Sequence, residues 1–336
     1  MEVTKIHNNS ELNDHSVENI PQVCNGFVHT LESPCTKPKK TLLQRKAFAK
    51  WRTVNNVHDL INLHSPFEKM YRDTLYCCET LHQEGQYITG NYCGHRWCLV
   101  CSRILTAKLI QGYGPILSQF QSPWFVTLTI VCVNELLLLK ALKNMIKVFN
   151  LINHNFRQRR PYRIIGIRKI EIEPGRHPGE YHPHFHILLE GEQEGRALIE
   201  EWLKHFPTAD ILGQDIQPCD EGSLAEFFKY ATKPAVHLDE VEGKETSTAY
   251  QLDVIYQTLH NRKVYQPIGI RRCVPEKIEG ILSQRIPDLK PAIQDWDWNH
   301  EEKDWMNTKG DKLSLYRQNK EIPGFVPVLG YHKCRN

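Results

Sequence analysis

The sequence lacks any uninterrupted apolar run of the length that a membrane-spanning helix needs, and its polar, acidic beginning does not resemble a signal peptide. We therefore expect a cytoplasmic protein with no membrane partner. Internal repeats and low-complexity tracts are also missing. With 336 residues, of which 40% are hydrophobic, the chain is long enough for one large domain or two ordinary ones.

Net charge is also small, at +3, and does not by itself indicate a nucleic-acid partner. Its distribution is more informative, because residues 37–52 contain seven Lys or Arg and no acidic residue. Residues 140–176 contain ten basic residues against two glutamates. Such blocks suit a surface that follows phosphates, although solvated faces are the commoner explanation of charge runs.

Cysteine, by contrast, is abundant, with eleven in the chain. In a reducing compartment, clustered cysteines are better interpreted as metal ligands than as disulfides. Five of them fall between residues 77 and 101, and Cys98-Leu-Val-Cys101 has the C-x-x-C spacing of a zinc site. We predict a structural Zn²⁺ bound by Cys78, Cys93, Cys98 and Cys101, with Cys77, His82 and His95 as possible substitutes. The alternative is a set of buried free thiols.

The order of segments predicts an α+β fold in four parts. We expect residues 1–35 to be a mobile tail, 36–110 a basic helix and cysteine-rich zinc-binding segment, 111–275 the main domain and 276–336 a C-terminal extension. Apolar spacing predicts helices near residues 41–51, 102–120, 135–153, 195–205 and 223–231, and β-branched or alternating runs predict strands at 124–131, 163–173 and 181–190.

The third of these strands carries His182-Pro-His184-Phe-His186. Side chains two apart on a strand share a face, so His184 and His186 can converge on one metal ion while Phe185 turns to a core. A His-x-His pair alone is weak support, and two surface histidines would be the simpler interpretation.

A carboxylate for the same site is available on the preceding strand. Lys169, Glu171 and Glu173 share one face there, and pairing of the two strands across the loop at 174–181 would complete a two-histidine, one-carboxylate site. Glu171 is the first choice and Glu173 a close second. Such a donor set favours Mg²⁺ or Mn²⁺ more than histidines alone. The simpler interpretation is again a solvated strand face.

A third segment reads Glu226-Phe-Phe-Lys229-Tyr230-Ala-Thr-Lys233. On a helix, Glu226 and Tyr230 are neighbours and Lys233 continues that face, whereas Phe227, Phe228 and Ala231 can face inward. A tyrosine between two lysines suits attack on a phosphate, because cations stabilise both the phenolate and the phosphate oxygens. An amphipathic surface helix is the alternative.

Together, the strand Phe125-Val-Thr127-Leu-Thr129, the His-Pro-His-Phe-His strand and the Glu-x-x-Lys-Tyr-x-x-Lys helix resemble the His-hydrophobe-His (HUH) endonuclease superfamily. Within it, the chain resembles rolling-circle replication initiators of small bacterial plasmids, which carry a comparable cysteine segment before the first motif. The resemblance spans residues 124–234, and residues 258–269 extend it. It implies a central, mostly antiparallel sheet flanked by helices, with the tyrosine helix packed beside the histidines.

The resemblance also implies a mechanism and partners. Tyr230 would attack a phosphate held by a divalent cation on His184, His186 and a glutamate, giving a 5′-phosphotyrosine and a 3′-hydroxyl primer. Lys229 or Lys233 would lower the tyrosine pKa or contact phosphate, and Glu226 would activate water at termination. The partners would be single-stranded or hairpin origin DNA, with a host helicase and polymerase.

Three other functions would also account for parts of this pattern. A rolling-circle transposase shares the histidine motif, but related ones tend to carry paired tyrosines. A conjugative relaxase typically places its tyrosine before the histidines. A zinc-containing DNA-binding regulator with structural histidines is the alternative outside enzymes, and Tyr250 and Tyr256 are the other candidate nucleophiles if Tyr230 is not the nucleophile.

Overall fold

A computed structural model describes residues 41–159, 162–219, 227–228, 249–273 and 284–316. In these ranges, no helix combines the length and the apolar character that a membrane crossing requires. Six helices lie in the described parts of the chain: α1 (Leu42–Ile61), α2 (Glu68–Leu75), α3 (Leu99–Leu117), α4 (Glu135–Arg159), α5 (Glu192–His205) and α6 (Ala249–Leu259). The eleven strands described are β1 (Thr80–Gly85), β2 (Tyr87–Gly90), β3 (Pro123–Thr129), β4 (Val133–Asn134), β5 (Gly166–Pro174), β6 (Glu180–Glu190), β7 (Asp215–Pro218), β8 (Tyr265–Ile268), β9 (Gln284–Arg285), β10 (Ala292–Asn299) and β11 (Asp304–Met306).

The helices begin where the sequence supplies caps. Thr41 and Gln44 form a capping box at the start of α1, in which each side chain accepts a hydrogen bond from the other's backbone N–H. At the start of α4, the side chain of Asn134 accepts from the N–H of Leu137. Both helices run farther than their apolar spacing alone predicts, α1 to Ile61 and α4 to Arg159.

The larger sheet is antiparallel, with the strand order β7-β3-β6-β5-β8 and with β4 paired to the far end of β6. The predicted hairpin of β5 and β6 is confirmed by its register, in which Gly166 pairs with Leu189 and Pro174 with Tyr181. Gly166 allows this close approach, since a Cβ there would lie 2.0 Å from the Leu188 carbonyl oxygen.

The two faces of this sheet have different coverings. Phe185, Ile187 and Leu189 of β6 face a core built with α4, α5 and α6, as the alternation predicts. On the opposite face, Ile167 and Leu188 pack against side chains of α3 and against Phe227 and Phe228. The histidines share this second face, so one end of it is apolar and the other carries the polar groups.

The smaller sheet has the order β11-β10-β1-β2-β9 and is also antiparallel. Strands β1 and β2 come from the predicted cysteine-rich segment, whereas β9 to β11 come from the predicted C-terminal extension. Trp296 and Trp305 of the extension are buried in one core with four cysteines of the segment. The extension therefore completes this sheet, and the described residues belong to one compact unit.

Part of the first basic block, residues 37–52, is buried. Lys46, Lys50 and Arg52 of α1 are buried, with at most 6% of each residue exposed. The ammonium of Lys50 donates to the carbonyls of Leu75 and Cys77 and to Glu79. These three cations lie in the interior of the fold, so they cannot belong to a surface that contacts phosphates.

Candidate metal centres

Three potential ligands meet on the polar face of the larger sheet. Glu171 on β5 lies directly opposite His184 on β6, and Lys169 lies directly opposite His186. One ligand atom each from Glu171, His184 and His186 lies within 4.8 Å of the others. Glu171 is thus the glutamate that the structure brings to the two histidines, whereas Glu173 lies opposite His182 and is outside this cluster.

The carboxylate of Glu171 is almost fully buried and remains ionised. Burial acts to raise its pKa, but the hydrogen bond from His186 and the charge of Lys169 outweigh that effect and hold the pKa at about 2. Its Oε2 lies 2.8 Å from Lys169 Nζ and 3.2 Å from His186 Nε2. Its Oε1 is buried and has no hydrogen-bond partner among the described residues. A buried, unpartnered carboxylate oxygen beside two imidazoles is a position that a cation can occupy.

His184 is held in the neutral form with a defined tautomer. Its Nδ1 lies 3.1 Å from the carbonyl oxygen of His182, which can only accept, so Nδ1 carries the proton and Nε2 carries the lone pair. Burial and the neighbouring His186 lower its pKa to about 4. At neutral pH, His184 therefore presents an unprotonated nitrogen, as a metal ligand must.

His186 is held by the neighbouring strand β3. Thr127 lies directly opposite it, and the Thr127 hydroxyl is 3.1 Å from His186 Nδ1. The ring of Phe125 lies 5.2 Å from the imidazole, centre to centre. A hydroxyl can donate or accept, so it can serve either tautomer of His186 without loss of the hydrogen bond. Hydrogen bonds of this kind orient a ligating imidazole.

The donor set of this centre could hold a metal ion. Its two imidazoles and one carboxylate place their ligand atoms at distances that a single ion can bridge. Glu171 and His184 are buried, whereas the side chain of His186 is 21% exposed. The centre is therefore open on the His186 side.

Four cysteines form a second cluster, in the core of the smaller sheet. Cys77, Cys93, Cys98 and Cys101 each place Sγ within 4.8 Å of the other three. The Sγ of Cys77 is 3.5 Å from those of Cys98 and Cys101, and the Sγ of Cys93 is 3.6 Å from that of Cys101. Zn–S bonds of about 2.3 Å in a tetrahedron require S···S separations of about 3.8 Å. The cluster therefore fits a Zn²⁺ ion.

The ligand set differs from the predicted one, because Cys77 takes the place of Cys78. At Cys78 the backbone is left-handed, with φ 47°, and its N–H and carbonyl are engaged by Asn91 and the Trp305 indole. This turn places Cys77 Sγ with the other three thiols. Cys77 was one of the three possible substitutes, and the other two lie elsewhere, since His82 pairs with Asp295 and His95 stacks on Trp97.

Backbone amides of the same loop point at the cluster. Cys101 Sγ accepts from the N–H of Gly94 at 3.2 Å, and Cys77 Sγ accepts from the N–H of Cys93 at 3.5 Å. Hydrogen bonds from Cys101 and the other thiols lower the pKa of Cys77 below its ordinary value. A thiolate is thus favoured at Cys77, and the thiolate is the form that binds metal.

Helix α3 begins at the cysteine cluster and packs against the apolar part of the sheet face that carries the histidines. Cys98 caps its first turn, its Sγ accepting from the N–H of Cys101, so two potential zinc ligands lie at the helix start. Farther along, the hydroxyl of Thr106 donates to the carbonyl of Phe228 at 3.1 Å. Phe227 and Phe228 are both buried, as their inward positions predict, and Phe227 lies 6.1 Å from Phe125, ring centre to ring centre. The chain just before Lys229 is therefore anchored beside the histidine centre.

The predicted nucleophile and its neighbours, Glu226, Lys229, Tyr230 and Lys233, lie outside the described residues. The two alternative tyrosines are on α6 and face other elements. Tyr250 donates to Glu135 at the start of α4, and Tyr256 packs against Trp97. Neither of these contacts involves the histidine centre.

Two residues of the histidine centre are not among the predicted site residues. Thr127 occurs in the sequence only as part of a strand, and Lys169 only as a member of the polar face of β5. The sequence signal for Thr127 was the period-two alternation of Phe125, Thr127 and Thr129. The signal for Lys169 was its position two residues before Glu171, on the same strand face.

Comparisons of the chain with protein-family models, with curated proteins and with solved structures found no significant match.

Proposed function

We propose that this protein is a metal-dependent enzyme of the HUH type that nicks and rejoins one DNA strand, as plasmid rolling-circle replication initiators do. One observation carries the proposal: Glu171, His184 and His186 cluster on one sheet face, beside the buried Phe227 and Phe228. These phenylalanines stand inside the Glu226–Lys233 segment that holds the candidate nucleophile. The ligand cluster and the two described residues of the tyrosine segment thus belong to the same sheet face, which supports the proposal.

The sheet face provides a site for a phosphodiester. Strands β5 and β6 hold Glu171, His184 and His186 as ligands, and Thr127 orients His186. A divalent cation held there would supply Lewis acidity to the phosphate and would neutralise charge that develops on its oxygens. The open side of the centre, at His186, is where the DNA backbone would approach.

Tyr230 acts as the nucleophile. Its phenolic oxygen forms a bond to phosphorus, the bond from phosphorus to the 3′-oxygen breaks, and the phenol's proton passes through solvent to that oxygen. The products are a 5′-phosphotyrosine and a free 3′-hydroxyl, and the reverse attack rejoins the strand. A phenol with an ordinary pKa of about 10 is almost fully neutral at pH 7, so Lys229 or Lys233 would stabilise the phenolate or contact phosphate.

The substrate would be single-stranded DNA or an extruded origin hairpin, since the centre must reach one backbone in one register. The 3′-hydroxyl would prime a polymerase, and a helicase would unwind the displaced strand. Under this proposal, the cysteine cluster is a structural zinc site that holds the start of α3.

Covalent transfer of label tests the proposal. A pool of random single-stranded oligonucleotides, labelled at the 3′ end, is incubated with the zinc-loaded protein and Mn²⁺. We expect labelled protein on a denaturing gel, because the 3′ fragment retains the phosphotyrosine link. The same pool labelled at the 5′ end should leave the protein unlabelled.

Tyr230→Phe should abolish the adduct and preserve binding of the oligonucleotides, whereas Tyr250→Phe serves as the matched control and should still form the adduct. An adduct formed by Tyr230→Phe at the normal level would contradict the assignment. Oligonucleotide binding without any adduct, in the unchanged protein, would instead favour a zinc-containing DNA-binding regulator, for which the cysteine cluster is the supporting observation. Two adducts per chain would favour a transposase.

A further inference from the structure

Lys169 is a buried cation inside the histidine centre, and it has no role in the proposed nicking reaction. Its ammonium nitrogen lies 2.8 Å from Glu171 Oε2, and the two side chains are 5% and 3% exposed. On β5 it lies opposite His186 on one side and opposite Tyr265 of β8 on the other. Lysine is rarely buried unless it is paired, so its position depends on Glu171.

The pairing changes the charge of the ligand set. Two neutral imidazoles and one carboxylate would present a single negative charge to an incoming cation. The ammonium of Lys169 cancels that charge, so a bound divalent ion keeps its full double charge at the centre. Without Lys169, the loaded centre would keep only one positive charge. In a buried site, where charges are weakly screened, this difference acts on every ion that enters.

The ion pair with Lys169 also makes the two carboxylate oxygens of Glu171 unequal. Lys169 and His186 both approach Glu171 Oε2, whereas the buried Oε1 has no partner among the described residues. The ammonium thus occupies one oxygen and leaves the other for a metal ion. A carboxylate that shares its charge with an ammonium donates less electron density to a metal, which leaves the ion more electrophilic.

We propose that Lys169 is a positioning residue that lowers the metal affinity of the Glu171–His184–His186 centre and preserves its positive charge for a phosphodiester anion. The inference rests on the proposed metal site, but it does not require that the protein nick DNA. The lysine would make the resident cation more loosely bound and, at the same time, more attractive to the DNA backbone.

Three substitutions separate charge from hydrogen bonding. Lys169→Met removes both, Lys169→Gln removes the charge but keeps a donor, and Lys169→Arg keeps both. Affinity for Mn²⁺ is measured by titration calorimetry on zinc-loaded protein. We expect Met and Gln to bind Mn²⁺ about tenfold more tightly and Arg to stay close to the unchanged protein. Lys140→Met, on the exposed face of α4, removes the same charge elsewhere and should change nothing.

A second measurement tests how strongly the Mn²⁺-loaded centre attracts the DNA backbone. Binding of a fluorescent oligothymidylate to the Mn²⁺-saturated protein should weaken several-fold in the Met and Gln variants, because the loaded centre has lost a positive charge. Tyr230→Phe is used as the background, so that cleavage does not disturb the titration. Failure to nick therefore leaves both measurements intact.

Two results of the Mn²⁺ titrations would overturn the proposal. If Lys169→Met weakens Mn²⁺ binding while Lys169→Gln preserves it, the lysine merely holds Glu171 by a hydrogen bond. Unchanged Mn²⁺ affinity in both neutral variants would mean that Lys169 has no influence on the centre. Circular dichroism establishes that each variant is folded, and Lys169→Gln carries the test if Lys169→Met does not fold, since its amide can still donate to Glu171.

Discussion

Glu171 and His184 lie directly opposite one another on neighbouring antiparallel strands, so their side chains emerge from the same face at the same level of the sheet. Glu173, one step of the alternation farther along β5, lies opposite His182 instead. This register decides which glutamate belongs to the histidine centre.

The register predicts that substitutions of Glu171 and Glu173 have very different effects on Mn²⁺ affinity. Glu171→Ala should weaken Mn²⁺ binding by on the order of 100-fold, because the centre loses its one carboxylate and the buried ammonium of Lys169 is left without its partner. Titration calorimetry on zinc-loaded protein measures this change. Glu173→Ala is the matched control on the same strand face and should bind Mn²⁺ nearly as well as the unchanged protein. A greater loss with Glu173→Ala would show that the two strands pair in another register.

Adjacent cysteines give an equally sharp prediction for zinc. Cys77→Ser should lose the metal, because one of the four thiolates is removed, whereas Cys78→Ser should keep it. Zinc content is measured by plasma mass spectrometry after purification under reducing conditions without chelators. Both thiols are buried and consecutive in the chain, so general damage from the substitution is matched. Zinc retained in Cys77→Ser but absent in Cys78→Ser would restore the ligand set that the spacing alone predicts.

Thr127 is expected to support His186 through its hydroxyl. Thr127→Val keeps the shape of the side chain but removes the contact to Nδ1, so Mn²⁺ affinity should fall about tenfold. Thr127→Ser should restore most of it. Equal affinities in the three proteins, measured by Mn²⁺ electron paramagnetic resonance, would mean that packing of Phe125 alone orients the ring.

Lys50 is expected to stabilise the fold rather than to bind DNA. Lys50→Met leaves the buried carbonyl of Cys77 and the carbonyl of Leu75 without their donor, which should lower the free energy of unfolding by about 2–3 kcal/mol. Urea denaturation of the zinc-loaded protein measures this change. Lys140→Met, at an exposed position, should change stability by no more than about 0.5 kcal/mol. A neutral Lys50→Met would return this lysine to the list of possible phosphate contacts.

Glu226 is expected to act when replication ends. As a general base one helical turn from Tyr230, it would activate a water for the second cleavage. Glu226→Ala should therefore retain the first nick and the covalent adduct but release the adduct slowly, so that multimeric single-stranded products accumulate. Gel analysis of plasmid products in cells reads this out, with Glu221→Ala as the control. Loss of the first nick in a folded Glu226→Ala protein would place the glutamate at the tyrosine or the metal instead.

Much of the histidine centre could be predicted from the sequence because strand periodicity is a local property. Alternation alone places His184 and His186 on one face and Phe185 on the other, and the short loop between β5 and β6 makes an antiparallel hairpin the expected pairing. The choice between Glu171 and Glu173 depended on where the hairpin closes, and only the register determined it.

The sequence by itself determined the helices α1, α3, α4 and α5, the strands β3, β5 and β6, and the two groups of candidate ligands, since each follows from spacing within a few residues. The tertiary structure decided what depends on distant residues. It joined β1 of the cysteine segment to β10 of the C-terminal extension, which no local pattern encodes. It also selected Cys77 over Cys78, because a left-handed turn at Cys78 is fixed by contacts with Asn91 and Trp305. Finally, it buried Lys50 and Lys169 beside acceptors, because a charge can leave water only where the surrounding fold supplies its partners.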